Sequence, residues 1–146
     1  MLNKIKYILS IVLLFNLSYS ADETILLETT GVLSAQGLIL TQTALGTTVD
    51  AWQKGVYKDD VFEAYIQMYQ ETITIVRSQL YSLSQYEYLS DEDRVFVNQI
   101  VDIYDAIDNE ANSILKFLYT KKDVDLSQYF KDSEAALNKL NNLFSK

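Results

Sequence analysis

Carboxylates, tyrosines and a few amides are the side chains with chemistry to offer here, because histidine and cysteine are both absent. Their absence removes the commonest general base, the commonest transition-metal ligand and the thiolate nucleophile. Nucleophilic triads, zinc sites and histidine-ligated haem or di-iron sites are excluded with them. What remains falls into two groups. Tyr65, Tyr69 and Tyr86 recur at helical spacing with Gln79 on the same stripe, and Gln42 lies on the stripe of the preceding helix. Rings with hydroxyls, joined by amides, suit the lining of a pocket for a small organic ligand. Gln42, Tyr65, Tyr69, Gln79 and Tyr86 are therefore the candidate pocket residues. The plainer expectation places these tyrosines at the core boundary with their hydroxyls in water.

The second group is acidic. Asp102, Asp105 and Asp108, with Glu110, form a run within one helical stretch. Calcium and other hard cations take carboxylate oxygens, but one rigid helix supplies too few of them and no EF-hand spacing is present. A solvated face is the simpler expectation. Glu110 differs because it falls on the apolar stripe of its helix, as Glu28 does on the first helix. Without histidine, two inward carboxylates point only weakly to a metal, so no metal, cofactor or catalytic residue is assigned and no enzyme is expected. Met68, with no histidine to share a haem, reads as a packing residue.

The elements that must position these groups are helical. The chain contains no proline, which otherwise breaks helix interiors, and no segment alternates with a period of two. A first helix spans about residues 23–54, with Gly31, Ala35, Leu38, Leu45, Val49 and Trp52 on one stripe and Lys54-Gly55 as its stop. A second starts at Asp60, with Glu63 as capping-box partner, and ends near Leu89. Its stripe is Phe62, Tyr65, Tyr69, Thr72, Val76, Gln79, Leu83 and Tyr86, widened by Ile66, Ile73 and Leu80. Ser90 caps a third helix with Asp93 at the box position, and Ile100, Ile103, Ile107 and Ile114 mark its core face. A fourth begins near Asp125 and shows Leu126, Phe130, Leu137, Leu140 and Phe144 on one face. Short connections make successive helices antiparallel. The expected fold is an all-α, up-down-up-down four-helix bundle occupying residues 21–146.

Residues 29–49 of the first helix carry no charge and are rich in threonine and glycine. Gln36, Gln42 and the threonines make the stretch too polar for a confident membrane span. A helix buried on more than one side fits better. Gly31 and Ala35 would then mark a close helix contact, made within the bundle or with a second copy, which makes a homodimer through the first helix a candidate assembly.

Residues 1–20 have the layout of a secretory signal peptide. Lys4 and Lys6 precede an apolar run over residues 7–17, and Ser18 and Ser20 stand at the positions a signal peptidase reads before Ala21. The run is shorter than the roughly 20 residues a bilayer span needs. The expected location is outside the cytoplasm: periplasmic in a cell with an outer membrane, secreted otherwise, and free of the membrane after cleavage. Loss of both lysines moves the net charge from −8 to −10. So acidic a surface repels phosphate backbones and disfavours nucleic acid. The expected function is that of an exported, non-catalytic bundle acting as a protein-interaction or accessory module. The alternative is a bundle binding a small organic ligand through the Tyr/Gln-lined pocket. The intact mass of the exported protein checks the processing step: a chain beginning at Ala21 is expected, and retention of residues 1–20 would contradict it.

Overall fold

A computed structural model of the chain describes residues 23–87 and 89–145, with side chains from residue 29 onward. The leader of residues 1–20, the cut before Ala21 and the Glu28 side chain lie outside the described residues. Four helices follow in order: α1 (Glu23–Gln53), α2 (Asp59–Ser84), α3 (Asp91–Thr120) and α4 (Asp123–Phe144). The chain divides into two compact units, residues 1–33 and 34–146. In the first, Gly31 is half-buried while Val32 and Leu33 are exposed. All that follows concerns the second unit, which is an all-α four-helix bundle.

The pairing of side chains gives the topology. Trp52 stacks on Phe62 and Thr48 bonds Tyr69, so α1 and α2 run in opposite directions. Gln70 reaches Asn112 and Arg77 reaches Asp105, so α2 and α3 do too. Lys116 pairs with Asp125, and Lys139 donates to the Asp102 carbonyl, so α3 and α4 are antiparallel. Gln42 meets Glu110 and Trp52 meets Phe117, so α1 and α3 are parallel. This is the up-down-up-down order expected from the short connections.

The helix ends follow local chemistry. Gly55 takes a φ of +76°, and the N–H groups of Gly55 and Val56 bond the carbonyls of Trp52 and Ala51 at 2.9 Å each, closing α1 with a left-handed stop. The Ser90 side chain accepts from the Asp93 N–H, as its cap position requires. The proposed cap at Asp60 is corrected. The N-cap of α2 is Lys58, without a side-chain bond, and Asp60 lies inside the helix. Instead, Asp59 accepts from Trp52 Nε1 at 2.8 Å and Lys121 Nζ at 3.2 Å. The end of α2 is also earlier than expected, at Ser84 rather than near Leu89. There the Arg94 guanidinium collects the carbonyls of Ser84, Tyr86 and Leu89, satisfying groups that a further helical turn would otherwise have used.

The core is built on Leu38, Leu45, Phe62, Ile66, Ile73, Ile100, Ile107 and Ile114, each almost fully buried. Two expected stripes are rotated. On α2 the inward row is Phe62, Ile66, Ile73, Leu80 and Ser84, which leaves Tyr65, Met68, Thr72 and Gln79 exposed, with Tyr86 exposed beyond the helix end. On α4 the inward row is Tyr129, Ala136 and Leu140, while Phe130, Leu137 and Phe144 point outward. Apolar residues occur on both flanks of each helix, so periodicity alone does not choose between adjacent rows.

Ala35 is buried as expected, and a close approach lies two residues on. A Cβ placed on Gly37 would lie 2.9 Å from the Tyr104 hydroxyl of α3, closer than carbon and oxygen tolerate. Gly37→Ala is therefore expected to destabilise by about 1 kcal/mol net, overpacking outweighing the gain in helix propensity. In a Tyr104→Phe background, which removes the oxygen in the way, that cost should shrink or reverse. Urea unfolding of the four proteins of this cycle measures it, and equal effects in both backgrounds would place the clash elsewhere.

Candidate functional site

The most unusual chemistry in the bundle is a carboxyl at its centre. Glu110 sits on the inner face of α3 between Ile107, Ala111 and Ile114, with no exposed surface. Its register explains its position: Ala106, Ile107 and Ile114, three or four residues away, are core positions, so the helix carries it inward with them. Gln42, buried on α1, donates from Nε2 to Glu110 Oε2 at 2.7 Å. The hydroxyls of Tyr129 and Ser133 on α4 bear on the same carboxyl, and Asp132 lies close enough to repel it.

Burial pushes the Glu110 carboxyl above its ordinary range, and the Gln42, Ser133 and Tyr129 groups offset only part of that. Tyr129 is itself driven far up, by burial first and by the Glu110 and Asp50 carboxylates next. Glu110 Oε1 and Gln42 Oε1 are both buried without a hydrogen-bond partner. Burial and these unpaired oxygens favour the neutral acid. A neutral Glu110 removes the buried charge and supplies a donor. The carboxyl ties α1 to α3 through Gln42, with Tyr129 and Ser133 of α4 beside it. It is sealed from solvent.

The five residues read from the sequence as a pocket are separated. Gln42 is committed to Glu110, and Tyr69, half-buried, bonds Thr48 Oγ1 at 2.9 Å. Tyr65 lies on the surface, its ring 5.3 Å from that of Tyr57. Gln79 is exposed on α2, and Tyr86 is exposed just beyond its end. Two clefts among the described residues have other linings, one between α3 and α4 around Asp102 and Lys139, the other between α2 and α3 around Gln70 and Asp108. Tyr129 and Ser133 were not legible as partners of Glu110, because Phe130 drew the expected face of α4 to the wrong side.

The acidic run is not merely solvated. Arg77 of α2 pairs with Asp105 at 2.5 Å and lies 3.9 Å from Asp108, which Gln70 also bonds. The run thus serves as an α2–α3 clasp. Among the described residues, no three acidic side chains gather as a metal would require. Asp125 is held below the usual carboxylate range by Lys116 and Thr120, and Lys121 crosses the Trp52 ring at 4.9 Å, so the basic residues near this end are engaged as well.

No family model matches the chain, and neither does any curated protein or solved structure.

The buried carboxyl has a pH signature. Its folded-state pKa lies above the ordinary 4.5, so folding takes up a proton between those two values. Stability present below pH 4.5 is lost as pH rises towards and through the folded value. Glu110→Gln keeps the shape of the neutral acid and cannot ionise. Wild type should therefore lose stability relative to Glu110→Gln as pH is raised from 4 to 8. Thermal melts across that range test it, and a constant difference would mean Glu110 does not change charge on folding.

Proposed function

We propose that this protein is an exported, non-catalytic helical bundle that works by binding other protein, as an interaction or accessory module. The observation that carries this is an exposed apolar surface around α1. Leu40 is 69% exposed and Ile39 also faces water, in a stretch that lacks charge from residue 34 to 49. On α2, Met68 is exposed next to Tyr69, which carries the contact to α1. On α4, Phe130 and Leu137 lie on the flank of the buried Tyr129–Ala136–Leu140 row opposite the α3 contacts. Contiguous apolar surface of this kind on a folded domain marks an interaction site.

Other support is chemical. Glu110 has no exposed surface, and Asp105 and Asp108 of α3 are engaged by Arg77 and Gln70. Binding requires none of the catalytic groups that the sequence lacks. Among the described residues no helix is long and apolar enough to cross a membrane. The ligand-pocket alternative draws no support from Tyr65, Gln79 and Tyr86, which lie on the surface rather than around one cavity.

Site-specific photocrosslinking in the exporting cell tests the proposal. A photoreactive residue at position 68 should give protein adducts, and one at position 138, exposed on the outward side of α4, should give none. Absence of adducts at position 68, or equal labelling at both, would overturn it.

A further inference from the structure

We propose that the cleft between α3 and α4 binds a small zwitterion of the aliphatic amino-acid class, with the ligand carboxylate on Lys139 and the ligand ammonium on Asp102. The site shares no residue with the α1 surface or with the Glu110 cluster, so it stands or falls independently of the interaction role proposed above.

The spacing of residues builds the cleft. Gln99, Asp102 and Ile103 share one face of α3 at i, i+3 and i+4, and Lys139, Asn142 and Leu143 repeat that spacing on α4. The helices are antiparallel, and Lys139 Nζ donates to the Asp102 carbonyl at 3.3 Å. That contact sets Asp102 level with Lys139, and one turn further from the α3–α4 connection it sets Gln99 level with Asn142. These six residues line a space of about 190 Å³. It is smaller than the roughly 300 Å³ or more of a drug-sized ligand site, and suits a molecule the size of one amino acid.

The charges in the cleft are uncommitted. Asp105 and Asp108 are held from α2 by Arg77 and Gln70. Among the described residues, the Asp102 carboxylate has no hydrogen-bond or ion-pair partner, and neither do the Gln99 and Asn142 amides. Lys139 turns to the main-chain carbonyl of Asp102 rather than to its carboxylate, which leaves further N–H donors on the same ammonium. One cation and one anion therefore border the same small space without pairing with each other.

This arrangement selects the ligand. A simple anion would meet Asp102 and a simple cation would meet Lys139, each a like charge at short range. A zwitterion satisfies both, and it carries no net charge for the acidic protein to repel. The amides of Gln99 and Asn142 can donate to a carboxylate and accept from an ammonium. Buried Ile103 and half-buried Leu143 offer aliphatic surface to the ligand side chain.

Amide chemical-shift titration of the purified, exported protein with L-leucine tests this. Shifts concentrated in residues 99–103 and 139–143 are expected, saturating with a Kd of about 1 mM, as suits two solvent-exposed ion pairs. N-acetyl-L-leucine keeps only the carboxylate and L-leucinamide only the ammonium, as the two ends of a peptide do, and each should bind about tenfold more weakly. Asp102→Asn and Lys139→Gln should each weaken L-leucine binding by about the same factor. Asp102→Asn should leave N-acetyl-L-leucine binding no weaker, and Lys139→Gln should leave L-leucinamide binding no weaker. Helical content and melting should stay close to wild type in both variants, because both side chains are exposed. Absence of shifts at about 20 mM L-leucine would overturn the proposal. So would a one-charge analogue that binds as tightly as L-leucine, which would mean that the cleft reads a peptide end, or a variant that binds L-leucine as wild type does.

Discussion

Burying a carboxyl at the centre of a four-helix bundle constrains everything around it. Glu110 has no solvent, and a buried charge without compensation is too costly to keep, so its neighbours must be arranged for a protonated acid or for a set of donors. Gln42 provides the direct bond at 2.7 Å, which places α1 in register with α3. Tyr129 and Ser133 face it from α4, which turns that helix so that Tyr129 rather than Phe130 points inward. One group therefore sets the height of α1 and the rotation of α4.

The remaining contacts lock the two ends. At one end Trp52 stacks on Phe62 at 4.4 Å, meets Phe117 edge-on at 6.1 Å and donates to Asp59, so α1, α2 and α3 share a single aromatic joint. Towards the other, Arg94 gathers the carbonyls that end α2, and Arg77 ties α2 to the acids of α3. Charge is thereby concentrated between α2, α3 and α4. The half of α1 within the bundle takes part only through neutral groups, apart from Asp50 near its end. The division between a charged side and a neutral side follows from where the ion pairs were placed.

Burial of small residues and of amides has a common purpose along α1. Gly37 admits the Tyr104 hydroxyl, Thr48 bonds Tyr69 and Gln42 bonds Glu110. A charged or bulky side chain at any of these positions would separate the helices. The composition of this helix, poor by helix propensity, is thus explained by packing.

Several features were legible without coordinates. The absence of proline, the capping serine at position 90, the glycine stop at 55 and the isoleucines at 100, 103, 107 and 114 determine four helices, their order and the core face of α3, because these signals are local in the chain. Glu110 and Gln42 were visible as polar residues on apolar stripes. Their pairing was not, since 68 positions separate them and periodicity says nothing about which stripe residues meet. The rotation of α2 and α4 was decided only in three dimensions. Tyr65, Met68, Phe130 and Leu137 are as apolar as their buried neighbours, and an apolar side chain has no directional preference until other groups claim the interior. Ile66 and Ile73 claimed it on α2, and the Tyr129 hydroxyl, drawn to a buried acid, claimed it on α4.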